Sequence, residues 1–156
     1  MSAADLDAAL GMVQRILVDS STLIAAHSST ERVHALAAHL FRRVEQEADP
    51  LRAFYSVDSA VELLVRPIRS GPQRFAFMHD FLMNYPNLTA LPVDLQVAIQ
   101  AANLRATAGI ALPDALIVAS GLLAGCEAIV TNDERWKRRF QPLLPRFRWI
   151  YLGDYL

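Results

Sequence analysis

At 156 residues with a formal net charge of −1, the chain is long enough to bury a substantial core within one domain, and it lacks the overall basic excess that marks a nucleic-acid binder. An apolar fraction of 53% against 20% charged residues excludes global disorder. The single cysteine, Cys126, excludes an internal disulfide and points to a reducing compartment.

Residues 1–14 carry acids where the basic region of a signal peptide would stand, and they predict a short helical extension ahead of the first strand. RILVD (Arg15 to Asp19) is a β-branched run of the kind that forms a buried strand. TERVHALAAHLFRRVEQE then places Val33, Leu36, Ala37, Leu40, Phe41 and Val44 on one helical face. RAFYSV (Arg52 to Val57) predicts the second strand, and RPIRSGPQ (66–73) a loop between helices. PQRFAFMHDFLMNY repeats the helical pattern with Phe75, Met78, Phe81 and Leu82. NLTAL is a weaker strand candidate. DLQVAIQAANLRATAG follows as a helix presenting Leu95, Val97, Ile99 and Leu104, with Gly109 as its stop.

The most apolar stretch, IALPDALIVASGLLAGCEAIV, has about the length of a membrane span. Pro113-Asp114 and two glycines interrupt it, which predicts a core helix followed by the strand EAIVT (Glu127 to Thr131). FRWIYL near the C-terminus suits an edge strand. Strands alternating with helices predict an α/β sandwich around a mostly parallel sheet, in a soluble cytoplasmic protein with no membrane partner.

Four acids stand where elements begin or end. Asp19 closes the first strand, Glu62 follows the second, Asp114 opens the helix PDALIVASGLLAG, and Asp133 closes the late strand in IVTND. Each has a purely structural explanation. Asp19 and Asn132 or Asp133 can cap the helices that follow them. Ser59-Ala-Val-Glu62 reads as a capping box, and Asp114 after Pro113 as a first-turn acid that complements the helix dipole. Together they carry more weight, because a parallel sheet gathers strand C-termini and helix N-termini on one ligand-binding edge. Carboxylates gathered there repel one another by more than capping offsets, and a divalent cation relieves that repulsion. Oxygen ligands without nearby histidine or cysteine favour Mg2+ or Mn2+ over zinc.

The remaining chemistry-bearing residues carry little. His27, His34, His39 and His79 are not paired at metal-ligand spacing, and no Gly-rich nucleotide loop occurs. Trp136 and Trp149 suit packing. The basic pairs and runs Arg42-Arg43, Arg66 with Arg69, and Lys137-Arg138-Arg139 are either solvated helix faces or phosphate contacts.

ILVDSSTLIA, SAVELLVRP and LPDALIVASGLLAGCEAIVTND, in that order, resemble the PIN-domain family, and within it the VapC type of toxin ribonuclease. The resemblance runs from about Arg15 to the C-terminus, so that residues 1–156 would form one PIN-like domain with residues 1–14 as its extension. It implies a three-layer α/β/α sandwich and Mg2+- or Mn2+-assisted endonucleolytic cleavage of RNA. It also implies an antitoxin partner and homodimerisation. The acidic site maps onto Asp19, Glu62, Asp114 and Asp133, its polar neighbours onto Ser21 and Thr131, and an arginine before the LPDA segment onto Arg105. Many relatives carry a second acid shortly after the late strand, as in TNDxDF; Trp136 is taken here as its counterpart, with Glu134 nearby. Two other readings stand beside this one. A catalytically silent PIN module would keep the fold as a binding scaffold, and phosphotransfer at Asp19 would need the second acid of a DxDxT loop or a late-strand lysine, neither of which the chain has.

Overall fold

The computed structural model describes residues 3–156. In chain order the elements are α1 (Ala3–Leu10), β1 (Arg15–Val18), α2 (Ser20–His27), α3 (His34–Glu45), β2 (Arg52–Ser56), α4 (Val57–Ser70) and α5 (Pro72–Asn84). There follow β3 (Leu88–Leu91), α6 (Leu95–Ala108), α7 (Leu112–Leu123), β4 (Ala128–Thr131), α8 (Glu134–Phe140), β5 (Arg148–Tyr151) and a terminal 3-10 turn (Leu152–Tyr155). The sheet order is β3-β2-β1-β4-β5 and every pairing is parallel, so the expected mostly parallel sheet is wholly so.

Alternation along the short strands builds two cores from one sheet. Ile16 and Val18, Ala53 and Tyr55, Ala128 and Val130, and Ile150 face one cluster, which α1, α2, α3 and α5 cover. Leu17, Phe54, Ile129 and Trp149 face the other, which α6, α7 and α8 cover. These two clusters on opposite faces of the sheet make the three layers. Gly121 sets the spacing of one of them: a Cβ there would lie 2.6 Å from Leu17 Cδ2, so only glycine lets α7 lie this close to β1.

The helical extension is present as α1, with Met1 and Ser2 outside the described residues. It is part of the packing, since Leu6 and Leu10 are fully buried. Asp7 accepts from His39 Nε2 at 2.8 Å and from Arg43 Nη1 at 3.2 Å, tying α1 to α3.

Three expectations about helices change. The segment 66–73 is not a loop: α4 continues through Pro67 to Ser70, and Gly71 alone, at φ 117°, separates it from α5. Proline costs α4 one hydrogen bond, from position 67 to Leu63, but its φ is compatible with a helix. The capping box at Ser59 does not form, because α4 starts three residues earlier than that pattern requires. Ser56 is the N-cap, and Ser59 lies buried with no hydrogen-bond partner for its Oγ among the described residues. The buried face of α6 is Val97, Ala101 and Leu104, whereas Leu95 and Ile99 point to solvent. The exposed Phe75 likewise stands outside the buried Met78, Phe81 and Leu82 of α5. Among the described residues, no helix is long and apolar enough to cross a membrane.

Candidate acidic site

The chain lays down β1, β2 and β3 in one direction and returns to add β4 and β5 on the other side of β1. That reversal leaves a crevice beyond the C-termini of β1 and β4, the position at which open parallel sheets bind ligands. Asp19 follows β1 and Asp133 lies two residues after β4, so the sheet topology itself brings them to one place.

Asp19 is 2% exposed and fully hydrogen-bonded. Its Oδ1 accepts from the Thr22 amide at 2.8 Å and its Oδ2 from Thr131 Oγ1 at 2.7 Å, while Ser21 Oγ lies 2.9 and 2.7 Å from the two oxygens. The hydroxyls are shared outward. Ser21 Oγ accepts from the Asn132 amide at 2.8 Å, and Thr131 Oγ1 from the Asp133 amide at 3.0 Å. Ser21 and Thr131, both expected as supporting residues, therefore clamp the loop after β4 onto the carboxylate after β1. Burial nevertheless dominates, and pushes the Asp19 carboxyl above the usual carboxylate range against these hydrogen bonds.

Asp114 lies in the first turn of α7. Its carboxyl is also raised, first by burial and further by the charges of Asp133 and Glu62, with Arg139 and Arg135 pulling the other way. Glu62, exposed on α4, is thus in electrostatic reach of Asp114. One turn earlier, Asp58 is raised by burial and by Glu62. Asp58 is a fifth acid that was not singled out in the sequence, although its i, i+4 relation to Glu62 on a helix signals a shared face. Ser56 and Ser120, both buried, link the start of α4 to α7 through hydroxyls 3.3 Å apart, which holds these two acid-bearing helices together.

Asp133 differs from the others. It caps α8 through the Arg135 amide at 2.9 Å, and the Arg135 guanidinium also forks onto it: Nε lies 3.0 and 3.1 Å from Oδ1 and Oδ2, and Nη2 lies 2.6 Å from Oδ2. Those hydrogen bonds hold the Asp133 carboxyl below its ordinary range. The second acid of the TNDxDF pattern does not fall on Trp136, as expected above. Its place falls on Arg135, and Trp136 occupies the aromatic place, buried beside Phe140.

Several basic residues are elsewhere. Arg105 is exposed on α6, and the arginines that act on Asp114 are Arg139 and Arg135. Arg43 is engaged by Asp7 and Asp49, and Lys137 by Asp154 at 2.6 Å. Lys137 is the chain's only lysine, so phosphotransfer at the enclosed Asp19 lacks its partner. The donor set suits a hard divalent cation: four carboxylates from four elements, two of them with raised proton affinity, around one sheet edge. Their spacing is open, since no group of three or more His, Cys, Asp or Glu side chains among the described residues is close enough to hold a metal ion.

A family model for the PIN domain matches residues 16–139. The chain belongs to the PIN-domain family. Solved structures of similar fold include a toxin–antitoxin complex from Klebsiella pneumoniae, with 21% identity, TM-score 0.61 and coverage of 85% of this chain and 94% of that one. A DNA-bound VapBC from Salmonella typhimurium matches with 19% identity, TM-score 0.64 and coverage of 88% and 98%. A Mycobacterium tuberculosis VapC, described as a toxin that cleaves the sarcin–ricin loop, matches with 16% identity, TM-score 0.64 and coverage of 79% and 93%. At these identities the likeness establishes the PIN fold. No curated protein matches the chain in sequence.

Proposed function

We propose that this PIN-domain protein is a metal-dependent endoribonuclease, the toxin of a toxin–antitoxin pair, with Asp19, Glu62, Asp114 and Asp133 as its catalytic acids. The observation that carries this reading is the placing of Asp114: half-buried in the first turn of α7 at the sheet edge, its carboxyl raised by burial and by the charges of Asp133 and Glu62. Carboxylates held in mutual repulsion at a topological switch point are costly as structure and useful as a cation site.

Asp19, Glu62, Asp114 and Asp133 would hold Mg2+ or Mn2+, which would supply Lewis acidity toward water and the scissile phosphate. The chain's own residues do the rest. Ser21 and Thr131 fix the orientation of both Asp19 oxygens. Asp114, with its raised proton affinity, is suited to take a proton from an attacking water at its carboxylate. Arg139 and Arg135 give the acidic crevice a cationic border for a phosphate backbone.

Two apolar surfaces fit the partners that the toxin reading implies. Phe41, Phe77, Phe81 and Tyr85 line a groove between α3 and α5, with Arg42 and Asp80 among its polar residues, suited to an apolar antitoxin segment. Val57, Val61, Val65 and Ile68 form an exposed stripe along α4 at helical spacing, suited to a second copy of the chain. The neighbouring toxin–antitoxin structures support an antitoxin partner.

The test is cleavage of structured and unstructured RNA by the purified chain with Mn2+, with excess chelator, and in Asp19→Asn and Asp114→Asn variants. Cleavage that needs metal and both acids is expected. Cleavage persisting in the folded variants, or unaffected by chelator, rejects the reading.

A further inference from the structure

We propose that Arg135 is the site's own counter-cation: it occupies both carboxylate oxygens of Asp133, and must release them before a divalent cation can bind there. The proposal rests on the metal-site reading above and concerns what opposes the metal.

Capping accounts for only part of this contact. An N-cap carboxylate needs one oxygen to receive an amide, and the Arg135 N–H already meets Oδ1. The guanidinium adds hydrogen bonds to the same oxygen and takes the second one as well. A cation in the first turn of a helix is unfavourable with respect to the helix dipole, so α8 gives Arg135 no reason of its own to lie here. The local field of acids does. Arg135 lowers the proton affinity of Asp133 and, by charge, that of Asp114.

The pair is also built to open. Its arginine side chain is 82% exposed, against 21% for the aspartate, so the guanidinium can leave into solvent without unmaking the core. An exposed ion pair of this kind is a modest competitor. The two oxygens it covers are hard donors suited to Mg2+ or Mn2+. Arg138, on the same helix, acts on Asp133 by charge and is the natural control for general electrostatics.

Isothermal titration of Mn2+ into the full chain, with circular dichroism confirming the fold, distinguishes the outcomes. Arg135→Ala is expected to bind Mn2+ about two- to fivefold more tightly than the wild type, the range expected from losing an exposed pair. Arg135→Lys, which keeps the charge and loses the fork, is expected to fall between them, and Arg138→Ala to change affinity by less than Arg135→Ala. Equal or weaker binding by Arg135→Ala overturns the role of Arg135 while leaving the metal site standing. No Mn2+ binding in the wild type or in any variant overturns both.

Discussion

Thr131 Oγ1 donates to Asp19 Oδ2 at 2.7 Å, joining residues 112 positions apart in the chain. The same hydroxyl accepts the Asp133 amide, so one small side chain holds two acids of the crevice in register. Both Asp19 and Thr131 are buried, so water cannot replace the hydrogen bond between them without the strands parting.

Thr131→Val keeps the shape and removes the hydroxyl. It leaves Asp19 Oδ2 with Ser21 Oγ as its remaining donor and the Asp133 N–H without its acceptor, and is expected to cost about 1–3 kcal/mol of stability in urea unfolding. A loss indistinguishable from zero would mean that the clamp is not formed in solution.

The pH dependence of stability follows from opposite shifts at two acids. Asp19 is raised in the folded state, so the folded protein keeps a proton that the unfolded chain has lost above the ordinary carboxylate range, ~4. Its contribution is full below the unfolded value and falls as pH rises through the folded one. Asp19→Asn should therefore gain stability relative to the wild type between about pH 4 and neutral pH. Asp133 is lowered by Arg135, and its contribution is present above the unfolded value and lost as pH falls. Asp133→Asn should therefore lose ground to the wild type as pH rises. Urea midpoints measured from about pH 2 to neutral pH for all three proteins check both signs, Asp133 below about pH 4 and Asp19 above it, and a gap that stays constant through its own window contradicts the corresponding shift.

Gly121→Ala tests the seat of α7 on β1. The new Cβ would meet Leu17 Cδ2 at 2.6 Å and its Cβ and Cγ at 3.1 Å, inside a packed core. The expected cost is about 1–3 kcal/mol. Adding Leu17→Ala should recover part of that cost in a double-mutant cycle; strict additivity would show that the two residues do not collide.

Leu10→Ala tests whether α1 belongs to the core. Leu10 is fully buried, so the substitution is expected to lower stability by about 2–5 kcal/mol, read from thermal or urea unfolding. A change within measurement error would make α1 an appendage.

The strand runs were legible because their β-branched, nearly continuous apolar character follows directly from burial on both faces. The apolar face of α3 was legible for the same reason. Its six periodic residues, from Val33 to Val44, are all buried. Where the periodicity failed, the neighbouring elements decided. Leu95 and Ile99 fit a helical pattern, but α6 rests on Val97, Ala101 and Leu104 and leaves them in water. Pro67 looks like punctuation in one dimension, while α4 tolerates it and the chain breaks at Gly71.

The four acids were visible by their places at element ends, and a parallel sheet dictates that such ends converge. Composition and periodicity thus determined the layers, the parallel sheet and the edge on which the acids gather, since these depend on local burial and chain direction. Only the tertiary structure decided which groups act on which. It enclosed Asp19 with Ser21 and Thr131, drew Asp58 into the set, left Arg105 in solvent and laid Arg135 across Asp133. Those relations turn on distances of a few ångströms between side chains, and such distances exist only after the strands and helices have packed.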